Sequence, residues 1–146
     1  MAMATAPPPG YRSVQPYLIV NGAAALLEFL KKSFGASERM RLMQPNGSVG
    51  HAEVTIGDSV IMLADAGPQN PARPAAVLVY VEDVDATYKK ALEAGGSSER
   101  APEDMFYGDR ASSVRDRFGN AWFIHAHVED VSPDEMQKRA AAAMRS

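Results

Sequence analysis

An internal repeat constrains this chain more than any other feature. "GASER" stands at Gly35–Arg39 and "GSSER" at Gly96–Arg100, 61 residues further on. The same spacing lays Val20 over Val81 and Gly47 over Gly108 with no gap between them, and "NGAAALLEFLKKSFG" over "EDVDATYKKALEAGG". Four matches in five residues could arise by chance, but one offset held through helix and strand alike points to duplication of a structural unit.

Each half carries the same order of elements. A strand comes first, over 14–20 ("VQPYLIV") and 75–81 ("AAVLVYV"), and an amphipathic helix follows. Leu26, Leu27, Leu30 and Phe34 share one face of the first helix, and Val84, Tyr88, Ala91 and Leu92 share one face of the second. Asn21 and Asp83 are the expected N-caps. Gly35 and the Gly95-Gly96 pair can take the left-handed stop conformation. Three shorter strands complete each half, at 37–43, 48–56 and 59–65, then at 97–101, 110–116 and 120–127, with "IGDS" and "RFGN" as tight turns at matching places. These features predict an α+β fold of two βαβββ modules, 13–66 and 74–128, forming one domain over 13–128. A helical tail over 129–146 opens with Ser132 as N-cap, Pro133 in the first turn and Glu135 at the capping-box position.

Charge and composition narrow the function. A formal charge of −3 with both signs interspersed gives no basic face for nucleic acid. The absence of cysteine excludes disulfides, thiolate metal sites and cysteine nucleophiles. No apolar run reaches the roughly 18–20 residues of a membrane span. The opening residues 1–12 lack the apolar core of a signal peptide and read as a flexible arm, so a cytoplasmic protein is expected.

Paired modules of this size resemble the vicinal oxygen chelate superfamily, which includes glyoxalase I, extradiol dioxygenases and bleomycin-resistance proteins. "PYLIVNGAAALLEFLKKSFGA", "HAEVTIGDSVIMLAD", "VYVEDVDATYKKALEAGG" and "FYGDRASSVRDRFGNAWFI" resemble in particular its PhnB-like, glyoxalase-like members. The resemblance implies curved mixed sheets around a cavity and, commonly, a homodimer, for which the C-terminal helix is a candidate contact. In metal-dependent members two ligands come from each module, one on the first strand and one on the last. By that pattern the positions here are Gln15, Met62, Ala76 and Phe123. Alanine and phenylalanine offer no donor, and a thioether is a poor ligand for nickel, zinc or iron(II). No metal or other cofactor is therefore expected, and the chemistry that depends on that ion is not carried over.

Alternation along the last strand puts Phe123, His125 and His127 on one face, and along 48–56 it puts His51, Glu53 and Thr55 opposite Ala52, Val54 and Ile56. The polar sets are expected to look into the cavity and the apolar set to pack on the helices. His127 is read as an exposed strand-end residue and Trp122 as core. Around Gly108, Tyr107 is positioned to stack on a planar ligand and Arg110 to hold an anion. Met62 and Phe123 make the pocket floor apolar. The expected ligand-binding set is Gln15, His51, Glu53, Met62, Tyr80, Tyr107, Arg110, Phe123 and His125, with no catalytic residue and no metal. The leading expectation is a metal-free protein that binds an apolar or aromatic small molecule. The alternative is a lyase, isomerase or dioxygenase, using a relocated metal at His51, Glu53 and His125 or acid–base chemistry by His51 and Glu53.

Overall fold

Each half of the repeat builds its own four-stranded mixed sheet with one helix after its first strand. The computed structural model describes residues 6–145. Residues 1–5 of the expected N-terminal arm and Ser146 of the tail lie outside the described residues. Two compact units divide the chain, one over 1–75 and one over 76–146. Unit 1 runs β1 (Tyr17–Val20), α1 (Ala23–Phe34), β2 (Ser37–Met43), β3 (Val49–Ile56) and β4 (Ser59–Asp65). Unit 2 runs β5 (Ala76–Tyr80), α2 (Val84–Glu93), β6 (Ser97–Asp104), β7 (Asp109–Arg115), β8 (Ala121–His127) and α3 (Pro133–Arg145). The sheet orders, β1-β4-β3-β2 and β5-β8-β7-β6, are the same, with the first strand parallel to the last and the others antiparallel.

In unit 1 the apolar alternation does what periodicity requires. Leu18, Val20, Ala52, Val54, Ile61 and Leu63 point to one side of the sheet and are buried, together with Ala23, Leu26, Leu27 and Leu30 of α1. Phe34 is only half-buried, its ring edge-on to that of Phe29. Unit 2 buries Val79, Val114, Trp122 and Ile124 with Val84 and Ala91 of α2. The opposite faces carry Tyr17, His51, Glu53 and Met62 in unit 1, and Leu78, Tyr80, Ala111, Ser113, Phe123 and His125 in unit 2.

The helix starts differ from expectation in one half. Asp83 caps α2 as expected, its carboxylate accepting from the Ala86 N–H at 3.0 Å. Asn21 does not cap α1. Gly22 occupies that position in a left-handed conformation (φ 118°) and brings no side chain to the orphan donors. Asp65, at the end of β4, supplies the acceptor instead: one oxygen takes the Gly22 and Ala23 N–H groups at 2.9 and 2.8 Å, and the other takes the Val49 N–H at 2.7 Å. Ser132 caps α3 through the Glu135 N–H at 3.2 Å, and Glu135 bonds forward to Arg139.

The repeat is not gap-free. Tyr17 lies beside Met62 and Leu78 beside Phe123, equivalent pairs 61 apart. Glu53 lies opposite Met62, however, whereas Ser113 lies opposite Phe123, so β3 and β7 correspond at 60. Leu42 faces His51 and Met43 faces Val49, which leaves Gly50 as the extra residue of a β-bulge. The two open faces carry different side chains at equivalent places. Ala111 and Ser113 of unit 2 stand where unit 1 has His51 and Glu53, and Ala64 of unit 1 stands where unit 2 has His125.

Candidate functional site

On the open face of unit 1, His51 sits at the centre of a hydrogen-bonded line. Its Nε2 is 2.8 Å from Oε2 of Glu53, and its Nδ1 is 3.0 Å from the Tyr17 hydroxyl. The Tyr11 hydroxyl donates to Oε1 of Glu53 at 2.5 Å, with the Arg39 guanidinium stacked 4.8 Å above the Tyr11 ring. Tyr11 belongs to the stretch read as an arm, and its contact covers the carboxylate, which is only 5% exposed. Burial works to raise the pKa of Glu53. Hydrogen bonds from Tyr11 and His51, with the charges of His51 and Arg39, outweigh it and hold the carboxyl below its usual range. Both ring nitrogens of His51 and both carboxylate oxygens of Glu53 are engaged.

Unit 2 holds a second constellation. Asp109, buried at the start of β7, accepts from two imidazoles: Oδ2 is 2.9 Å from Nδ1 of His125, and Oδ1 is 2.9 Å from Nδ1 of His127. Burial raises the Asp109 pKa, but these two hydrogen bonds and charges more than offset it, and the carboxyl titrates low. An ionised carboxylate only accepts, so both Nδ1 atoms carry hydrogen. His127 also meets Asp130 through Nε2 at 2.7 Å. Its pKa is raised, first by Asp109 and then by Asp130, as expected for an imidazole between two carboxylates. Half-exposed His127 is therefore more than a strand-end residue.

His125 itself is buried. The Tyr107 ring lies roughly parallel to it at 6.1 Å between centroids, and Tyr80 meets it edge-on at 6.2 Å. Its Nε2 has no hydrogen-bond partner among the described residues. His125 lines a pocket of about 200 Å³ with Arg100, Met105, Tyr107, Ala111, Ser113 and Phe123. Burial, then the nearby Asp109 charge, raises the Tyr107 pKa, so this phenol stays protonated at neutral pH. Four of the expected residues, Tyr80, Tyr107, Phe123 and His125, thus come together, on a face where Asp109 was not anticipated as an organiser.

Others are placed elsewhere. Arg110 lies on the helix side of its sheet, opposite Ala126, and its guanidinium is held by Asp85 of α2 (2.7 and 2.9 Å) and by Asp104 (3.2 Å). These bonds push its pKa above the ordinary value, and they leave it apart from the Tyr107–His125 pocket. Gln15 precedes β1, and its side-chain oxygen accepts the Arg12 N–H at 2.6 Å. Met62 lies half-buried on the open face of unit 1, beside Tyr17 and opposite Glu53.

A further cleft of about 400 Å³ in unit 1 is lined by Tyr17, Ile19, Gln44, Gly50 and the 64–70 segment. Its one carboxylate, Asp65, is committed to the α1 N-terminus. The four positions at which the resemblance puts metal ligands do not fit a divalent ion. Ala76 and Phe123 have no donor atom, Met62 offers only a thioether, and the Gln15 oxygen is occupied. Among the described residues no group of three or more histidine, aspartate or glutamate side chains is arranged to hold a metal.

Comparison with known proteins agrees with this architecture. An uncharacterised protein of Mycobacterium bovis is 36% identical over 145 residues, covering 92% of this chain and 93% of that one. Among solved structures, TioX from Micromonospora sp. ML1 superposes with a TM-score of 0.64 at 22% identity, over 82% of this chain and 98% of TioX. The PhnB protein from Bacillus cereus superposes with a TM-score of 0.61 at 18% identity, over 79% and 99%. Identities this low support the fold alone. The family model for the Glyoxalase/Bleomycin resistance protein/Dioxygenase superfamily matches residues 12–124, and the chain belongs to that superfamily.

Proposed function

We propose that this chain is a small-molecule-binding protein of the glyoxalase/bleomycin-resistance type, which acts without the metal of its metal-dependent relatives and takes an apolar or aromatic ligand at the open sheet face. The observation that carries this reading is the pocket of unit 2. There Phe123 stands where a metal ligand would be expected, and Met105, Tyr107 and Ala111 add apolar and aromatic walls beside the polar Arg100, Ser112, Ser113 and His125. A planar group entering such a pocket gains roughly 25 cal/mol for each Å² of apolar surface removed from water. Stacking on an aromatic side chain adds about 0.5–1.5 kcal/mol. The same reading includes a homodimer and a cytoplasmic location; among the described residues no helix is long and apolar enough to cross a membrane.

The enzymatic alternative finds less support. A relocated metal would have to draw on His51, Glu53 and His125, yet each of these imidazoles is bound to a carboxylate within its own unit. Acid–base work by His51 and Glu53 would first have to break the contacts from Tyr17 and Tyr11.

Two measurements on protein purified without a histidine tag test the proposal. Metal analysis is expected to find well under one equivalent of nickel, zinc, manganese or iron, and the melting temperature is expected to ignore chelator. A thermal-shift screen of aromatic compounds is expected to give stabilisation that grows with ligand concentration. One tightly held equivalent of metal, lost on His51→Ala, would reverse the assignment.

A further inference from the structure

Resting on that reading, we infer that the unit 2 pocket is a proton-accepting subsite for a single planar ring bearing an acidic hydroxyl, a phenol or an enol, with His125 Nε2 as the acceptor and Asp109 as the positioning residue. Three features of the geometry lead there. The Nδ1–H of His125 is spent on Oδ2 of Asp109 at 2.9 Å, so the neutral ring presents a lone pair at Nε2, its one remaining polar atom. Pocket size suits one ring: about 200 Å³ is available, and an apolar cavity of about 150 Å³ takes a benzene. The walls select a flat molecule, with Tyr107 stacked near the imidazole and Phe123 across the same pocket.

Charge around the ring favours the transferred proton. The groups facing His125 are Asp109 from β7, His127 from β8, Tyr80 from β5, Tyr107 from the turn before β7 and Arg100 from β6. When the ligand's O–H bond breaks, its proton goes to Nε2 and the electron pair stays on oxygen. The resulting imidazolium faces the Asp109 carboxylate, and the oxyanion shares the pocket with the Arg100 guanidinium, which is itself paired with Glu103. His127, bridging Asp109 and Asp130, holds the far oxygen of Asp109 and fixes the carboxylate toward His125.

The probe is 4-nitrophenol, whose phenol and phenolate absorb at different wavelengths, with 4-nitroanisole as the same ring lacking the proton. In a buffer that keeps free 4-nitrophenol protonated, wild-type protein is expected to produce a saturable phenolate band. His125→Gln is expected to reduce that band about tenfold or more, while 4-nitroanisole binds both proteins alike. Asp109→Asn, which keeps an acceptor but removes the charge, is expected to weaken the band and leave 4-nitroanisole binding intact. If that variant fails to fold, the His125→Gln comparison decides. Binding of 4-nitrophenol without a phenolate band, or a band that persists in His125→Gln, would overturn the subsite while leaving the binding role standing. Failure of both probes to bind wild type would overturn it too; stabilisation by other aromatics would then still support the broader proposal.

Discussion

Asp116 accepts four hydrogen bonds on two oxygens: from the N–H groups of Phe118 and Asn120, from the Asn120 side chain and from the indole of Trp122, at 2.8–3.0 Å. Asp116→Ala removes the common acceptor for the turn and for the buried indole, and is expected to cost about 3 kcal/mol in urea denaturation followed by Trp122 fluorescence. Two glycines give a second test. Gly108 is left-handed (φ 100°), and a Cβ there would collide with the Glu129 carbonyl and press on Val131. Gly57 is also left-handed (φ 58°), but faces open space. Gly108→Ala is expected to lose about 3 kcal/mol or more, and Gly57→Ala only about 1 kcal/mol, in the same assay. Sequence reading at this scale succeeded where parity along one strand sufficed: His51 and Glu53 do share the face away from α1. It misplaced Arg110, although the signal was present. With Val114 and Ser112 on the core side of β7, alternation sends Arg110 to the helix side as well. Asp109 reads from the sequence as a rim-turn partner of Arg110; its true partners, His125 and His127, lie 16 and 18 residues away on a strand whose register no local pattern specifies.

Among the elements, α1 carries the clearest lesson. Its helix periodicity and its stop at Gly35 were legible, but its N-cap was not, since the acceptor comes from Asp65, 42 residues beyond Ala23. Asp65→Asn removes a negative charge from a helix N-terminus and weakens three charge-assisted bonds. The expected loss is about 1–2 kcal/mol, read as a lower urea midpoint with unchanged slope. The β3–β4 turn is the other element-level event. Ile56 and Ser59 pair across two residues where Arg115 and Ala121 pair across five, so β3 meets β4 one residue out of step with β7 and β8, and His51 and Glu53 stand where the other half has Ala111 and Ser113. A constant offset in sequence cannot report a register slip that the partner strand absorbs.

For the whole molecule, pH is the readable variable. Glu53, Asp65 and Asp109 all titrate below their ordinary values when folded. Their contribution is therefore present above about pH 4 and is lost as pH falls through the folded values. His127 has the opposite sign: its pKa is raised, so its contribution is complete below about pH 6.5 and is lost as pH rises through the folded value. The melting temperature is expected to peak between those limits. His127→Ala is expected to flatten the alkaline side and leave the acid side steep, as differential scanning calorimetry across pH 3–9 (about the usable range) would reveal.

The sequence by itself determined the two-module plan, the order of elements and the face each apolar residue turns inward, because these follow from local periodicity and from a repeat written into the chain. It also determined that the superfamily's ligand positions offer too few suitable donors for a divalent ion, which is a matter of residue identity alone. Only the tertiary structure decided which carboxylate meets which histidine, which residue caps α1, and that the two halves carry different constellations. Those outcomes depend on strand register and on contacts between residues far apart in the chain, and a turn one residue longer or shorter shifts them without changing the pattern of hydrophobicity that built the fold.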